Sequence, residues 1–241
     1  MLKKQLKALI LGVCGQSLGA QIIGRIQLRK QSVGEQSFAQ EGEDRLLANL
    51  LKDQRDGFYV DIGAHHPYCL SNTNLFYQRG WRGINIDANP ECIKLFEGRR
   101  DGDTNLSVGV GPVPGTLKFY KFKEPALSSF DEKLSRAREK EGREIAGIID
   151  VKVLPLSEIL PAYVPSGKKI DFMNIDVEGL DLEVLKSNNW HHYRPRYIMV
   201  ECLGLELEKL SSDPIYAYLK EQGYALHSKL VNSCLFSDSR V

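Results

Sequence analysis

The sequence lacks an apolar run long enough to cross a membrane. The longest uninterrupted apolar run near the start is ALILGVCG, at residues 8–15. It is far shorter than the roughly 20 residues that a membrane-spanning helix needs, and no small-residue cleavage pattern follows it. We therefore expect neither a secretion signal nor a membrane span, and we predict a cytoplasmic protein.

The sequence also lacks an excess of charge of either sign. Lys and Arg total 32 and Asp and Glu total 31, so the formal net charge of the 241 residues is +1. A protein that binds nucleic acid through its phosphates normally carries a basic patch or a basic overall balance. We expect no nucleic-acid partner.

Cysteine is scarce, odd in number and widely spaced. The five cysteines are Cys14, Cys69, Cys92, Cys202 and Cys234. This usage is typical of a reducing compartment and excludes a disulfide framework. Neither the cysteines nor the five histidines show the spacing of a zinc site.

A glycine-rich dinucleotide fingerprint is missing too. VDIGAHHPYCLSNT, residues 60–73, has the pattern of a strand that runs into a ligand-binding turn, but it contains only Gly63. The fingerprint would place further glycines where His65 and Tyr68 stand, because the backbone must approach a pyrophosphate closely. A ligand with an adenosine but no pyrophosphate tolerates these residues. Asp87, which ends the second predicted strand 26 residues after Asp61, stands where an acid binds ribose hydroxyls.

The first 31 residues differ in charge from the rest of the chain. They carry six basic residues and no acidic residue: Lys3, Lys4, Lys7, Arg25, Arg29 and Lys30. Apolar residues recur among them at helical spacing, as in an amphipathic segment that binds a membrane surface. Packing against the rest of the chain or against a second subunit explains the pattern equally well. We treat residues 1–36 as a separate basic segment and residues 37–241 as the main domain.

From Ser37 onward, predicted strands and helices alternate. This alternation of strands and helices indicates a mostly parallel sheet with helices on both faces. YALHSKL and NSCLFSD, near the end of the chain, predict an antiparallel pair that closes the sheet. The fold class that follows is α/β.

Residues 111–165 interrupt this alternation with a highly charged stretch, SSFDEKLSRAREKEG. We predict a solvated helix there. The segment is either a simple surface excursion or a lid that covers the edge of the sheet and contacts an acceptor.

Several motifs, in order, resemble the FkbM family of S-adenosylmethionine-dependent methyltransferases over roughly residues 37–236. They are FAQEGED, VDIGAHHPYCLSNT, GWRGINIDANP, DFMNIDVEGLDLEVLK and YIMVE. The resemblance implies a class I methyltransferase fold, which has a Rossmann-like, seven-stranded and mostly parallel sheet with an antiparallel last strand. It also implies O-methylation of a hydroxyl on a sugar, a glycan such as a polysaccharide, or a related natural product. Asn174 departs from the family, in which lysine or serine is commoner.

The resemblance implies a cofactor site at the carboxyl ends of the first strands. Its residues would be Gln40, Asp61, Gly63, Ala64, Ser71, Asp87, Ser107 and Val108. Backbone amides of the turn 61–64 and the Ser71 hydroxyl would bind the methionine carboxylate, Asp87 both ribose hydroxyls, and residues 107–108 the adenine. The segment 38–41 would cover the methionine end. Each side chain also has a plainer interpretation: Ser71 as a helix cap, Asp87 as a turn residue and Val108 as core.

Methyl transfer to an alcohol requires a base or a metal ion that removes the hydroxyl proton. The candidates are three carboxylates that follow neighbouring strands, Asp176, Glu178 and Glu201, and one histidine, His65. We favour a metal-free mechanism over a magnesium ion bound by the carboxylates. His66 is a weaker candidate than His65.

Two other classes of protein remain open. Tyr216 and Lys220 fit the Tyr-x-x-x-Lys pair of a short-chain dehydrogenase or epimerase, but the glycine-rich turn of such nicotinamide enzymes is missing. A non-catalytic glycan-binding module on the same fold is the other alternative. Asp61, Gly63, Asp87 and Asp176 argue against a lost cofactor site.

Overall fold

The computed structural model describes residues 36–240, and these contain ten strands. The strands are β1 (Phe58–Ile62), β2 (Arg82–Asp87), β3 (Thr104–Ser107), β4 (Gly109–Val110), β5 (Gly115–Phe122), β6 (Ile145–Leu154), β7 (Phe172–Ile175), β8 (Tyr197–Glu201), β9 (Tyr224–Lys229) and β10 (Ser233–Asp238). The helices are α1 (Glu43–Leu50), α2 (Asn74–Gln78), α3 (Pro90–Lys94), α4 (Glu132–Lys140), α5 (Leu156–Tyr163), α6 (Asp181–Lys186) and α7 (Pro214–Glu221). Two short 3-10 helices cover Pro125–Leu127 and Leu207–Ser212.

Seven strands form the main sheet, in the order β3-β2-β1-β7-β8-β10-β9. The first five of these pair in parallel, whereas β10 is antiparallel to both β8 and β9. The order reverses beside β1, so the carboxyl ends of β1 and β7 flank a crevice where ligands bind in open α/β sheets. The topology confirms the predicted fold, including its antiparallel last strand.

Each face of the main sheet is covered by a hydrophobic core. In β1, Phe58, Val60 and Ile62 contribute to one core, which α5, α6 and α7 complete. Tyr59 points to the other core, which α1 and α2 complete. Because successive side chains of a strand point to opposite faces, a strand buried on both faces is almost entirely apolar. Asp61 is the one polar residue of β1, and it is buried.

The predicted interruption at residues 111–165 contains two strands, β5 and β6, of a second sheet whose remaining strand, β4, directly precedes it. The strands of this sheet have the order β4-β6-β5, and β5 pairs with β6 in antiparallel register. The predicted charged helix is present as α4. Phe119 of β5 packs on Phe130, with ring centroids 4.8 Å apart. α5 belongs to the main core, since Leu156, Ile159 and Leu160 are buried there.

Helix starts follow the capping residues in the sequence. The side chains of Asn89, Asp131 and Asp213 accept hydrogen bonds from backbone N–H groups in the first turns of α3, α4 and α7. Pro90 and Pro214 occupy the first helical positions of α3 and α7, where a missing N–H costs nothing.

No helix within residues 36–240 is long and apolar enough to cross a membrane. The basic segment predicted at residues 1–31 lies outside the part of the chain that the structure describes. The predicted domain boundary at residue 36 lies at the first described residue.

Candidate active site

A cleft opens at the carboxyl ends of β1, β2 and β7. Ligands bind at this edge of an open α/β sheet. Many of the residues predicted for the site line it: Gln40, Gly63, His65, Asp87, Val108, Asp176 and Glu178. The structure therefore brings together residues that are up to 138 positions apart, from 40 to 178.

Asp87 lies at the end of β2, with its carboxylate at the cleft. One carboxylate oxygen accepts from His65 N–H at 2.8 Å and the other from Asn89 N–H at 2.7 Å. Burial raises the pKa of Asp87 to about 6, and these two hydrogen bonds oppose the shift. Each carboxylate oxygen retains a further lone pair, so the group can still accept from two hydroxyls of a ligand.

Gly63 is required by the close approach of two backbone segments. A Cβ at this position would lie 1.7 Å from the backbone oxygen of Asp176, and its φ of 83° is in the left-handed region. The N–H groups of Gly63 and Ala64 both donate to the Ile86 carbonyl. These two amides, which were predicted to lie near a methionine carboxylate, therefore already have a backbone partner.

Four residues predicted for the cofactor site do not line the cleft. Asp61 and Ser71 are buried behind it, Ala64 is buried in the turn, and Ser107 faces solvent. The Ser71 Oγ accepts from Asn74 N–H at 3.1 Å, which is the plainer helix-start role. Asp61 accepts from Thr73 Oγ1 and from Asn174 Nδ2, both at 2.9 Å.

Three carboxylates converge at the end of β7. Asp176, Glu178 and Glu201 each offer one oxygen, and these oxygens all lie within 4.8 Å of one another. Burial and the neighbouring carboxylates of Glu201 and Glu178 raise the pKa of Asp176 well above its usual range. Burial and the charges of Glu178 and Asp181 raise the pKa of Glu201 to about 8. The group can take up a proton or hold a cation such as Mg²⁺, which prefers oxygen ligands.

The inserted segment holds one of these carboxylates in place. Arg138 of α4 forms an ion pair with Glu178 and donates to the Leu127 carbonyl at 2.7 Å. The Ser129 hydroxyl donates to the Glu178 carbonyl at 2.8 Å. The segment 127–138 is thus attached to the turn between β7 and α6.

Residues 61–226 match the model of the methyltransferase FkbM domain. The matched span is more than half of the chain. The chain belongs to the FkbM methyltransferase family.

A curated relative agrees with this assignment. The FkbM chain is 34% identical over 184 residues to the methyltransferase sdnD of Sordaria araneosa, a match that covers 64% of this chain and 68% of that protein.

Solved methyltransferase structures are similar only at low TM-scores. They include the O-methyltransferase of Bacillus cereus in complex with SAH (TM-score 0.35, 13% identity, 98% of each chain). A precorrin-6y C5,15-methyltransferase of Geobacter metallireducens has a TM-score of 0.39 at 12% identity, over 86% of this chain and 92% of that chain. The METTL16 methyltransferase domain has 0.41 at 17% identity, over 81% and 66%. The fold assignment rests on the strand order and pairing of the FkbM chain itself.

Backbone strain in the FkbM chain is concentrated at the cleft. Among the described residues, three other than glycine have a positive φ: His65 (51°), Leu70 (53°) and Glu178 (58°). All three line the cleft. Such conformations are costly and persist where the surrounding structure imposes them, which is common at functional sites.

The two adjacent histidines have different surroundings. Burial, with a smaller contribution from His66, lowers the pKa of His65, so its imidazole is neutral at neutral pH and can accept a proton. The ring of His66 accepts from the N–H groups of Tyr68 and Cys69, which is a role in the local turn. His65 lines the cleft, as predicted, whereas His66 does not.

Several residues in or behind the wall of the cleft were not predicted from the sequence. Asp181 accepts from the N–H groups of Val177 and Gly179 and so shapes the turn that carries the carboxylates. Phe119 and Phe130 line the cleft from the inserted segment. Asp181 could have been found from the sequence, because it is an acidic residue at the start of a predicted helix. No local sequence pattern predicts that the two aromatic residues line the cleft.

The dehydrogenase-like pair is not at the cleft. Tyr216 packs on Phe236, with ring centroids 6.4 Å apart, and the Lys220 ammonium lies over the Tyr216 ring. Neither residue of the pair lines the cleft. This placement gives them a role in packing α7 against the sheet.

Proposed function

We propose that this FkbM methyltransferase uses S-adenosylmethionine to methylate a hydroxyl of a sugar, a glycan or a related natural product. The observation that carries the proposal is the convergence of Asp176, Glu178 and Glu201 beside the cleft at the carboxyl ends of β1, β2 and β7. A cluster of carboxylates with raised pKa values supplies the proton acceptor that an alcohol needs before it can attack.

The cleft has groups suited to each part of the cofactor. Asp87 and Val108 line the cleft, where Asp87 would accept from the two ribose hydroxyls and Val108 would pack beside the adenine. Gln40 lines the same cleft and offers an amide N–H to the methionine carboxylate, in place of the turn amides that are already engaged. When bound, the cofactor supplies an electrophilic methyl group. The contribution of these residues is positioning, which can account for roughly 7–11 kcal/mol of a two-reactant barrier.

The acceptor lies, in this proposal, between the carboxylates and the inserted segment. Phe119 and Phe130 give that side of the cleft an apolar wall. The raised pKa values of Asp176 and Glu201 mean that the cluster holds protons near neutral pH, and that the member which is ionised is a stronger base than a free carboxylate. His65 is the other proton acceptor within the lining.

The same three carboxylates fit a magnesium ion, which would polarise the acceptor hydroxyl. We propose the metal-free mechanism because His65 and the protonatable carboxylates provide a base without an ion. Methyl transfer should therefore continue after exhaustive chelation. Complete loss of transfer that magnesium alone restores would overturn this choice.

The test of the proposed function is transfer of a labelled methyl group from S-adenosylmethionine to a panel of hydroxyl acceptors. Asp176→Asn should lower transfer by about a hundredfold or more, the usual contribution of a positioned base. Thermal unfolding should show a folded variant, since Asn has the same shape. A fully active Asp176→Asn enzyme would contradict the assigned role of Asp176. Absence of transfer by the wild type to every acceptor, despite cofactor binding, would favour the non-catalytic glycan-binding module.

A further inference from the structure

A short chain of hydrogen bonds runs from the interior of the sheet to the cleft. Asn174 of β7 donates through Nδ2 to Asp61 Oδ1 at 2.9 Å. Asn72 donates through Nδ2 to Asn174 Oδ1 at 2.7 Å. Asp61 and Asn174 are buried, whereas Asn72 is half-buried and lines the cleft.

The polarity of this chain follows from chemistry. The Asp61 carboxylate accepts hydrogen bonds, so Asn174 turns its amide nitrogen toward it. The Asn174 amide oxygen then faces Asn72, and Asn72 must present its own nitrogen in return. This orientation leaves the Asn72 Oδ1 as an acceptor that has no partner among residues 36–240. Because Asn174 holds its amide nitrogen, Asn72 presents its amide oxygen to a ligand in a fixed orientation.

The position of Asn72 selects the part of the cofactor that can reach it. Asp61 pairs with Asn174 in the β1/β7 register, so Asn72 is anchored at the crevice between these strands. In the sheet order β3-β2-β1-β7, the adenine contact Val108 follows β3 and the ribose contact Asp87 ends β2. The methionine part of the cofactor is then left at β1 and β7. The α-ammonium group is the hydrogen-bond donor of that part.

The charges that line the cleft agree with a cationic donor. Glu43 lines the cleft together with Asn72, and its carboxylate accepts from Glu41 N–H and from the Ser233 hydroxyl. Among the described residues that line the cleft, none is a lysine or an arginine.

We propose that Asn72 binds the α-ammonium group of the cofactor through its amide oxygen, with Asn174 as the residue that positions it. The inference rests on the proposed function. It also gives a reason for the buried asparagine at position 174, because a lysine there could donate to Asp61 but has no acceptor atom for the Asn72 amide nitrogen.

The experiment is calorimetric titration with two ligands. One is S-adenosylhomocysteine, and the other is its analogue with hydrogen in place of the α-amino group. The wild type should bind the first about tenfold more tightly or better, as expected for a hydrogen bond to a charged group. Asn72→Ala should lose this discrimination: its affinity for S-adenosylhomocysteine falls about tenfold while its affinity for the analogue is unchanged.

The two ligands separate a binding role from a structural one. Equal loss of affinity for both ligands in Asn72→Ala would overturn the inference, because it would mean that the loop had shifted. Equal affinity of the wild type for both ligands would also overturn it, and this result needs no variant. If the wild type binds neither ligand, the proposed function itself fails and the inference with it.

Discussion

At the scale of single residues, Asp87 carries the clearest prediction. Asp87→Ala should weaken binding of S-adenosylhomocysteine by at least tenfold, since each hydrogen bond to a charged group contributes about 1.5–3 kcal/mol. Calorimetric titration measures the loss. Asp101→Ala is the matched control, because Asp101 is an exposed carboxylate that, within residues 36–240, accepts a hydrogen bond from Gly98 N–H alone. Unchanged affinity in Asp87→Ala would remove Asp87 from the site.

The same carboxylate predicts how binding depends on pH. Burial raises the pKa of Asp87 to about 6, and the ionised form is the better acceptor for ribose hydroxyls. Wild-type affinity for S-adenosylhomocysteine should therefore rise as the pH increases through about 6, and this step should be absent in Asp87→Ala. A step of the same size in both proteins would assign it to another group.

The raised pKa of Glu201 predicts how the stability of the fold depends on pH. The pKa of this side chain rises from 4.5 to about 8 in the folded chain, so between these values the folded state holds more protons than the unfolded state. Its contribution to the free energy of unfolding then falls as the pH rises through this window. The free energy of unfolding of Glu201→Gln should be close to that of the wild type at low pH. It should exceed the wild-type value by a growing amount as the pH rises to about 8. Urea denaturation across pH measures the difference, and a difference that is independent of pH would contradict the raised pKa.

Some site residues could be predicted from the sequence because each follows a recognisable strand. Asp87, Asp176 and Glu178 belong to this class. Asn72 and Arg138 do not, because their roles depend on contacts with residues 102 and 40 positions away. The structural reason for glycine at position 63 could not be predicted from the sequence. The absence of a Cβ there makes room for the backbone oxygen of Asp176, which directly follows β7.

At the scale of elements, the attachment of α4 to the carboxylate turn is the feature to test. Arg138→Ala removes the ion pair with Glu178 and the hydrogen bond to Leu127, and both involve a charged donor. Losing them should increase hydrogen exchange of the α4 amides by about tenfold or more, given roughly 1.5–3 kcal/mol for each such bond. Exchange followed by mass spectrometry measures this.

Arg136→Ala is the control on the same helix. Arg136 pairs with Glu132 and Glu139 on an exposed face, where ion pairs contribute about 0–1 kcal/mol. Exchange of α4 should change much less in this variant. Equal effects of the two substitutions would show that Arg138 stabilises α4 only as an ordinary helical residue.

Element types were predictable where the local pattern was strong. The strand FYVDI, the helix DLEVLK and the charged helix of α4 appear as expected. The second sheet was not predicted, because β5 and β6 pair across the intervening α4 and carry few turn signals. Phe119 of β5 and Phe130, which packs on it, line the cleft, and no local sequence pattern predicts this.

At the scale of the whole molecule, the topology was predictable because parallel strands connected through helices have few allowed arrangements. The strand order then fixes which side chains meet at the crevice beside β1. The details within the crevice, such as the orientation of Asn72, depend on hydrogen bonds between elements that are distant in sequence.

The basic segment at residues 1–31 carries a prediction of its own. We propose that it contacts a membrane surface or a second subunit, on the basis of its six basic residues and no acidic one. A chain without it should bind S-adenosylhomocysteine as the full chain does, but lose sedimentation with anionic vesicles or show a smaller oligomer mass. If neither property changes, the proposal fails.

The most direct test of the account is calorimetric titration of the full wild-type chain with S-adenosylhomocysteine, beside a titration with NADH. The cleft at the ends of β1, β2 and β7 should bind one S-adenosylhomocysteine per chain and no NADH, because His65 and Tyr68 stand where a pyrophosphate site needs glycine. Binding of NADH without binding of S-adenosylhomocysteine would contradict the account and favour a nicotinamide enzyme.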